Sequence, residues 1–181
     1  VVAIGKDTVI VVASSAFSVA AASRTSNIIR SVNNGASWQV IGGFPVGTTA
    51  PTMSKIFFPS NTVGYVSGNR GAVYKTINGG TTWTDISPFP ALNTTMNYTE
   101  IFALDDNTVF VTGNGFPRKV VYRSVNGGTT WTDITNNLAT LPVGNLNAIL
   151  MHDVNNGYVG TPGSMVSTNN GGTTWNLEIP P

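Results

Sequence analysis

The chain of 181 residues has no cysteine and a single histidine, His152, which excludes disulfides, thiolate metal sites and a paired-histidine zinc centre. Charge is scarce as well. Lysine and arginine together number nine and the carboxylates eight, 9% of residues, against roughly 25% in an average soluble protein. A net charge of +1 supplies no concentrated basic surface for phosphates, so nucleic acid is not an expected partner. No apolar run approaches the roughly 20 residues that a membrane-crossing helix needs. Val9 to Val12 and Ala20 to Ala22 are interrupted by polar residues, unlike the continuous apolar centre of a signal peptide. The opening on Val1 fits a processed product or a fragment. No glycine-rich loop leads from a strand into a helix, and no serine has an evident base, so neither phosphate binding nor serine-based hydrolysis is indicated.

Glycine, threonine, serine and asparagine take the place of the missing charge. With 41% hydrophobic residues the chain can bury a real core. A polar, uncharged, turn-dense composition suits an extracellular or cell-surface protein.

One phrase organises the sequence. It reads Ser31-Val-Asn-Asn-Gly-Ala-Ser-Trp38, Thr76-Ile-Asn-Gly-Gly-Thr-Thr-Trp83, Ser124-Val-Asn-Gly-Gly-Thr-Thr-Trp131 and Thr168-Asn-Asn-Gly-Gly-Thr-Thr-Trp175, and it uses every tryptophan. A recurrence at this interval marks a repeat array, in which each unit buries its apolar face only against its neighbours. Each copy lies between strand-like runs and reads as the turn of a β-hairpin. Asn33, Asn78, Asn126 and Asn170 can bond their own backbone and tolerate left-handed dihedrals. Gly35, Gly80, Gly128 and Gly172 permit positive φ. The hydroxyls that open the phrase and precede each tryptophan can satisfy turn amides. Each Trp is a large apolar plate for the next unit.

Four strands precede or follow each turn in the same order. The reading is all-β: a β-propeller-type repeat of four-stranded antiparallel blades, at residues 1-43, 53-87, 98-135 and 146-179, in one domain. No useful helix is expected. The four blades either close a small ring, form part of a larger propeller, or are completed by another chain or a missing segment.

The pattern Ser/Thr-x-Asn-x-Gly-x-Ser/Thr-Trp resembles the Asp-box, or bacterial neuraminidase repeat (BNR), of β-propellers, with Asn in place of the usual Asp in all four copies. Sialidases, sortilin-type receptors, xyloglucan-active glycoside hydrolases and photosystem-assembly-factor-like proteins carry such boxes. The last group and the sortilin type are the nearest in character. The resemblance implies a propeller fold and leaves open whether the chain binds or catalyses.

In such a blade, turns after the second strand share a face with the inter-blade connections, opposite the boxes. That face gathers Arg24, Arg70, Arg118 and Lys119 with Phe44, Phe89 and Phe116, a candidate surface for a protein or glycan. The other face gathers Asp7, Asp105, Asp106 and Asp153. Arg30, Lys75 and Arg123 recur on the third strands, either as a cationic ladder for a partner or with their stems covering Trp surface and the heads in water. Asp85 and Asp133 recur on outer strands, where charge discourages edge pairing. Asn93 and Asn97 satisfy the glycosylation sequon.

A glycosidase needs two carboxylates flanking the scissile bond. Glu100, two residues after Tyr98 and on the same side of an extended strand, is a carboxylate without a repeated position, and no arginine triad accompanies it. The expectation is therefore a non-enzymatic scaffold acting through its loop faces, with no cofactor and no metal. The alternative is a carbohydrate-active glycoside hydrolase, sialidase- or xyloglucanase-like, whose catalytic residues lie partly outside this segment.

Overall fold

The computed structural model describes residues 1–14, 26–41, 44, 50–88, 95–115 and 118–178. Among these residues sixteen strands form four four-stranded antiparallel sheets, each built from consecutive strands in chain order. The first blade comprises β1 (Val2–Ile4), β2 (Thr8–Ser14), β3 (Ser26–Ser31) and β4 (Gln39–Ile41); the second, β5 (Met53–Phe57), β6 (Gly64–Gly68), β7 (Val73–Thr76) and β8 (Thr84–Asp85). The third comprises β9 (Asn97–Ala103), β10 (Val109–Asn114), β11 (Lys119–Ser124) and β12 (Thr132–Asp133); the fourth, β13 (Ala148–Met151), β14 (Gly157–Thr161), β15 (Ser164–Thr168) and β16 (Asn176–Glu178). A short 3-10 helix, Asn136–Ala139, follows the third blade.

The boxes are built by side-chain bonds that the sequence chemistry dictates. In the second, Thr76 Oγ1 accepts from the N–H groups of Asn78 and Gly80 at 3.3 and 3.0 Å. Asn78 Oδ1 accepts from the N–H groups of Thr81 and Thr82, while its Nδ2 donates to Thr82 Oγ1 at 2.8 Å. Ser124 and Asn126, and Thr168 and Asn170, repeat this arrangement. The third-position asparagines do not carry the left-handed backbone, contrary to the expectation from their propensity. That conformation falls on the next two residues, Asn34 and Gly35 in the first box and Gly79 and Gly80 in the second.

In the second, third and fourth boxes the fifth-position glycine has a second reason to lack a side chain, whereas a Cβ on Gly35 would meet only Trp38, at 3.5 Å. A Cβ on Gly80 would strike Ile10 Cδ1 of the preceding blade, and on Gly172 it would lie 2.9 Å from Ile134 Cβ. The turn therefore nests into its neighbour, and any side chain would hold the blades apart.

The core sits in the seams between blades. Ile4, Ile10, Ile28 and Ile41 meet Val66, Tyr74 and Trp83 in the first seam. Tyr65 and Val73 meet Tyr98, Val109 and Val111 in the second. Phe110 and Val121 meet Ile149, Met151, Val159 and Trp175 in the third. Contacts run from each blade to the next; among the described residues none of comparable extent joins the fourth to the first. The outward faces of the end blades accordingly leave Trp38 46% exposed and Leu150 50% exposed.

Cations stitch the seams. Arg30 Nε donates to Gly79 O at 2.8 Å, Lys75 Nζ to Asp106 O at 3.2 Å, and Arg123 Nη1 to Val154 O at 3.3 Å, each reaching the following blade. Their heads are thus not simply solvated: they cap carbonyls across each interface. Asp85 and Asp133 likewise do more than mark an edge. Each accepts from the N–H and hydroxyl of the residue two positions on, Ser87 or Thr135.

Candidate binding face

Two sets of backbone bonds fix which loops share a face. Box amides reach the first turns of their own blades, Gly79 N to Thr62 O and Gly127 N to Asn107 O. The opposite turns join the inter-blade connections: Asn69 N donates to Thr52 O, Thr52 N to Asn69 Oδ1, and Gly71 N to Met96 O. Asn114 and Leu146 exchange a reciprocal pair at 2.9 and 3.0 Å. Arg70, Arg118 and Lys119 therefore stand opposite the boxes, on a face whose loops are tied to the seams.

On that face Arg70 is held at φ 61 between two clamped neighbours. Its Nε is buried without a hydrogen-bond partner among the described residues. A left-handed arginine whose buried Nε donor is unanswered is a strained cation of the kind that recognises a carboxylate. The other cations are engaged. Arg118 pairs with Asp133, and Lys119 donates to Val143 O. Asp133 itself is pushed up by partial burial, but the Thr135 hydroxyl and N–H and the Arg118 guanidinium outweigh this and hold it below its ordinary value.

Phe44 does not stand on this surface. It is buried, edge-on to Tyr74 with centroids 4.9 Å apart and beside Trp83 at 6.2 Å, so it closes the first seam instead. A loop phenylalanine that can reach an uncovered indole is drawn inward by the apolar area it buries. Arg24, Phe89 and Phe116 lie outside the described residues, as does Asn93. Asn97 is exposed, at the start of β9.

The carboxylate and tyrosine considered for catalysis are separated by a bulge. Glu100 pairs with Thr112 and Tyr98 with Gly113, so the two occupy opposite faces of β9 rather than one. Glu100 forms an ion pair with Lys55 at 3.1 Å. Tyr98 lies in the second seam, 6.4 Å from the Tyr122 ring and at right angles to it, where burial raises its pKa far above the usual phenol value. Asp105 and Asp153 cap their own turns through N–H donors two and three residues on. His152 packs edge-on against Tyr158. Among the described residues no three His, Asp or Glu side chains gather as a metal site, and no helix is long and apolar enough to cross a membrane.

Repeated asparagine turns, four-stranded blades and one face of clamped loops define a BNR-type β-propeller protein. The family model described as photosynthesis system II assembly factor YCF48 matches residues 30–180, and the chain belongs to that family. YCF48 from Cyanidioschyzon merolae is similar over 69% of this chain and 39% of its own, at 27% identity and a TM-score of 0.58. A structure titled YCF48 bound to D1 peptide covers 86% of this chain and 47% of its own, at 16% identity and a TM-score of 0.62. The GH74 xyloglucanase of Xanthomonas campestris covers 96% of this chain and 29% of its own, at 13% identity and a TM-score of 0.67, which shows the shared fold alone. The chain thus spans less than half the length of each of these proteins. No curated protein matches it.

Proposed function

We propose that the chain is a non-enzymatic, protein-binding propeller segment that captures an acidic or carboxylate-bearing peptide on the face carrying Arg70. The observation that carries this is Arg70, whose backbone is held left-handed in its turn while its buried Nε has no acceptor among the described residues. Membership of the YCF48 family, and a fold neighbour whose title records a bound D1 peptide, support the same reading. A charge-assisted bond from a preorganised arginine gives direction as well as affinity. An extracellular or cell-surface location rests on composition alone and is tested by fractionating the tagged protein.

The glycoside hydrolase reading has little to draw on. Glu100 is committed to Lys55, while Asp85, Asp105, Asp133 and Asp153 hold turns. A glycan-cleavage screen with Glu100→Gln as control decides against it if neither protein acts.

The binding test uses a D1 peptide by calorimetry. Arg70→Ala is expected to weaken binding about tenfold or more, as loss of one charge-assisted bond does, with Arg118→Ala changing it less. Binding that is unaffected by Arg70→Ala overturns the assignment of the site.

A further inference from the structure

The second and third seams are built alike up to one residue. Ile86 N donates to Val73 O, and Ile134 N to Val121 O, both at 2.9 Å. Ser87 and Thr135 each bond the aspartate two residues back and accept from the N–H of Val73 or Val121. Each seam then receives an indole: Trp131 Nε1 donates to Ile86 O at 2.7 Å and Trp175 Nε1 to Ile134 O at 2.9 Å.

At the next residue they diverge. Asn136 adopts φ 38 and opens the 3-10 helix, which carries two carboxamides over the fourth box. Asn137 Oδ1 accepts from Trp175 N and its Nδ2 donates to Trp175 O, each at 2.8 Å, while Asn136 Nδ2 donates to Gly172 O. The equivalent position in the second seam is Pro88. Its ring fixes φ near −65°, so the chain cannot follow the path of Asn136, and it brings no carboxamide. A hollow of about 410 Å³ remains, lined by Asp85 to Pro88 on one wall and Gly128 to Trp131 on the other. The N–H and carbonyl of Trp131 and the carbonyl of Gly128 form no hydrogen bond among the described residues, whereas their counterparts in the third seam are answered by Asn136 and Asn137. A second hollow of about 260 Å³ adjoins it, sharing Ile86 and Thr129 and reaching the exposed Ile77.

We propose that this hollow is a binding site for an asparagine- or glutamine-bearing segment of a partner protein. The partner's carboxamide takes the place that Asn137 holds one seam further on, accepting from Trp131 N–H and donating to Trp131 O. The adjoining hollow receives a neighbouring apolar side chain against Ile77. The chain thus carries its own template for the ligand. The site is on the outer rim among the boxes, away from Arg70.

The test records amide spectra of the ¹⁵N-labelled full chain with an acetylated, amidated Thr-Asn-Asn-Leu peptide, which copies residues 135 to 138, and with Thr-Ala-Ala-Leu. The expected result is a saturable shift of the Trp131 backbone amide and indole, about fivefold tighter for the asparagine peptide, as one or two net hydrogen bonds provide. The Trp175 amide stays in place. The variant P88N/F89N, which restores the asparagine pair in sequence register, abolishes the shift, while Arg70→Ala leaves it unchanged. Equal response to both peptides, or none, overturns the proposal. So does a Trp131 backbone amide that, in the free protein, exchanges with solvent as slowly as that of Trp175, because the hollow is then already filled.

Discussion

The indole N–H of Trp175 donates to the carbonyl of Ile134 on the preceding blade at 2.9 Å, and that single bond spans 41 residues of sequence. The tryptophan of the later boxes therefore packs on the blade before it, not on the next unit as its place in the sequence suggests. Trp175 is 1% exposed and Trp83 8%, whereas Trp38, whose blade has no described predecessor, is 46% exposed. One sequence phrase yields different burial according to its place in the array.

The same substitution should therefore cost different amounts at different boxes. Trp175→Ala is expected to destabilise by about 3–5 kcal/mol, the range for a buried large aromatic. Trp38→Ala is expected to cost clearly less, since nearly half of that side chain is already in water. Urea denaturation of the two variants compares them directly; equal losses contradict the seam account.

The fifth-position glycines of the second, third and fourth boxes combine a left-handed backbone with close packing, and the two effects can be separated. Gly80 has φ 81 and abuts Ile10, while Gly163 has φ 79 and open space around its missing Cβ. Gly163→Ala should cost about 1 kcal/mol from backbone strain. Gly80→Ala should cost on the order of 2 kcal/mol more, because the clash adds to the strain. Denaturant midpoints measure both.

The seam cations should matter in proportion to their neighbours' need. Arg30→Met and Lys75→Met each remove a charged donor from a carbonyl of the next blade, at an expected cost of about 1 kcal/mol. Lys6→Met, exposed in a first turn, should be neutral by the same thermal-melt assay.

Acid stability follows from Asp105. Slight burial pushes its carboxyl up, but the N–H groups of Asn107 and Thr108 outweigh this and lower its pKa. A depressed folded value contributes stability that is fully present above the unfolded value, roughly pH 4, and is lost as pH falls through the folded one. Asp105→Asn keeps the oxygen acceptor and removes the proton linkage. Its unfolding free energy should therefore fall less steeply between about pH 4 and pH 2 than that of the native chain.

Much of this architecture is legible in the sequence, for physical reasons that differ by element. The box announces itself because its hydrogen bonds are local: Thr76, Asn78, Gly80 and Thr82 satisfy one another within seven residues. The sorting of loops onto two faces follows from strand order alone. What escapes is whatever depends on a neighbour far along the chain. Phe44 reads as a loop aromatic until Tyr74 and Trp83 are placed beside it. The heads of Arg30, Lys75 and Arg123 read as solvated until the next blade presents its carbonyls. Tyr98 and Glu100 read as a pair until the bulge at Thr99 turns them apart. The contrast between Pro88 and Asn136 was visible in the letters, but its meaning required knowing that both follow the same clamp.

Solvent exchange of the four indole N–H protons, followed by NMR, tests the seam account most directly. Trp131 and Trp175 donate across a seam at 2.7 and 2.9 Å, Trp83 donates within its own box to Gly80 O at 3.3 Å, and Trp38 has no such acceptor among the described residues. The expected order is slow exchange at Trp131 and Trp175, intermediate at Trp83 and fast at Trp38. A Trp38 indole as protected as that of Trp175 would contradict the claim that each blade is completed by the one before it.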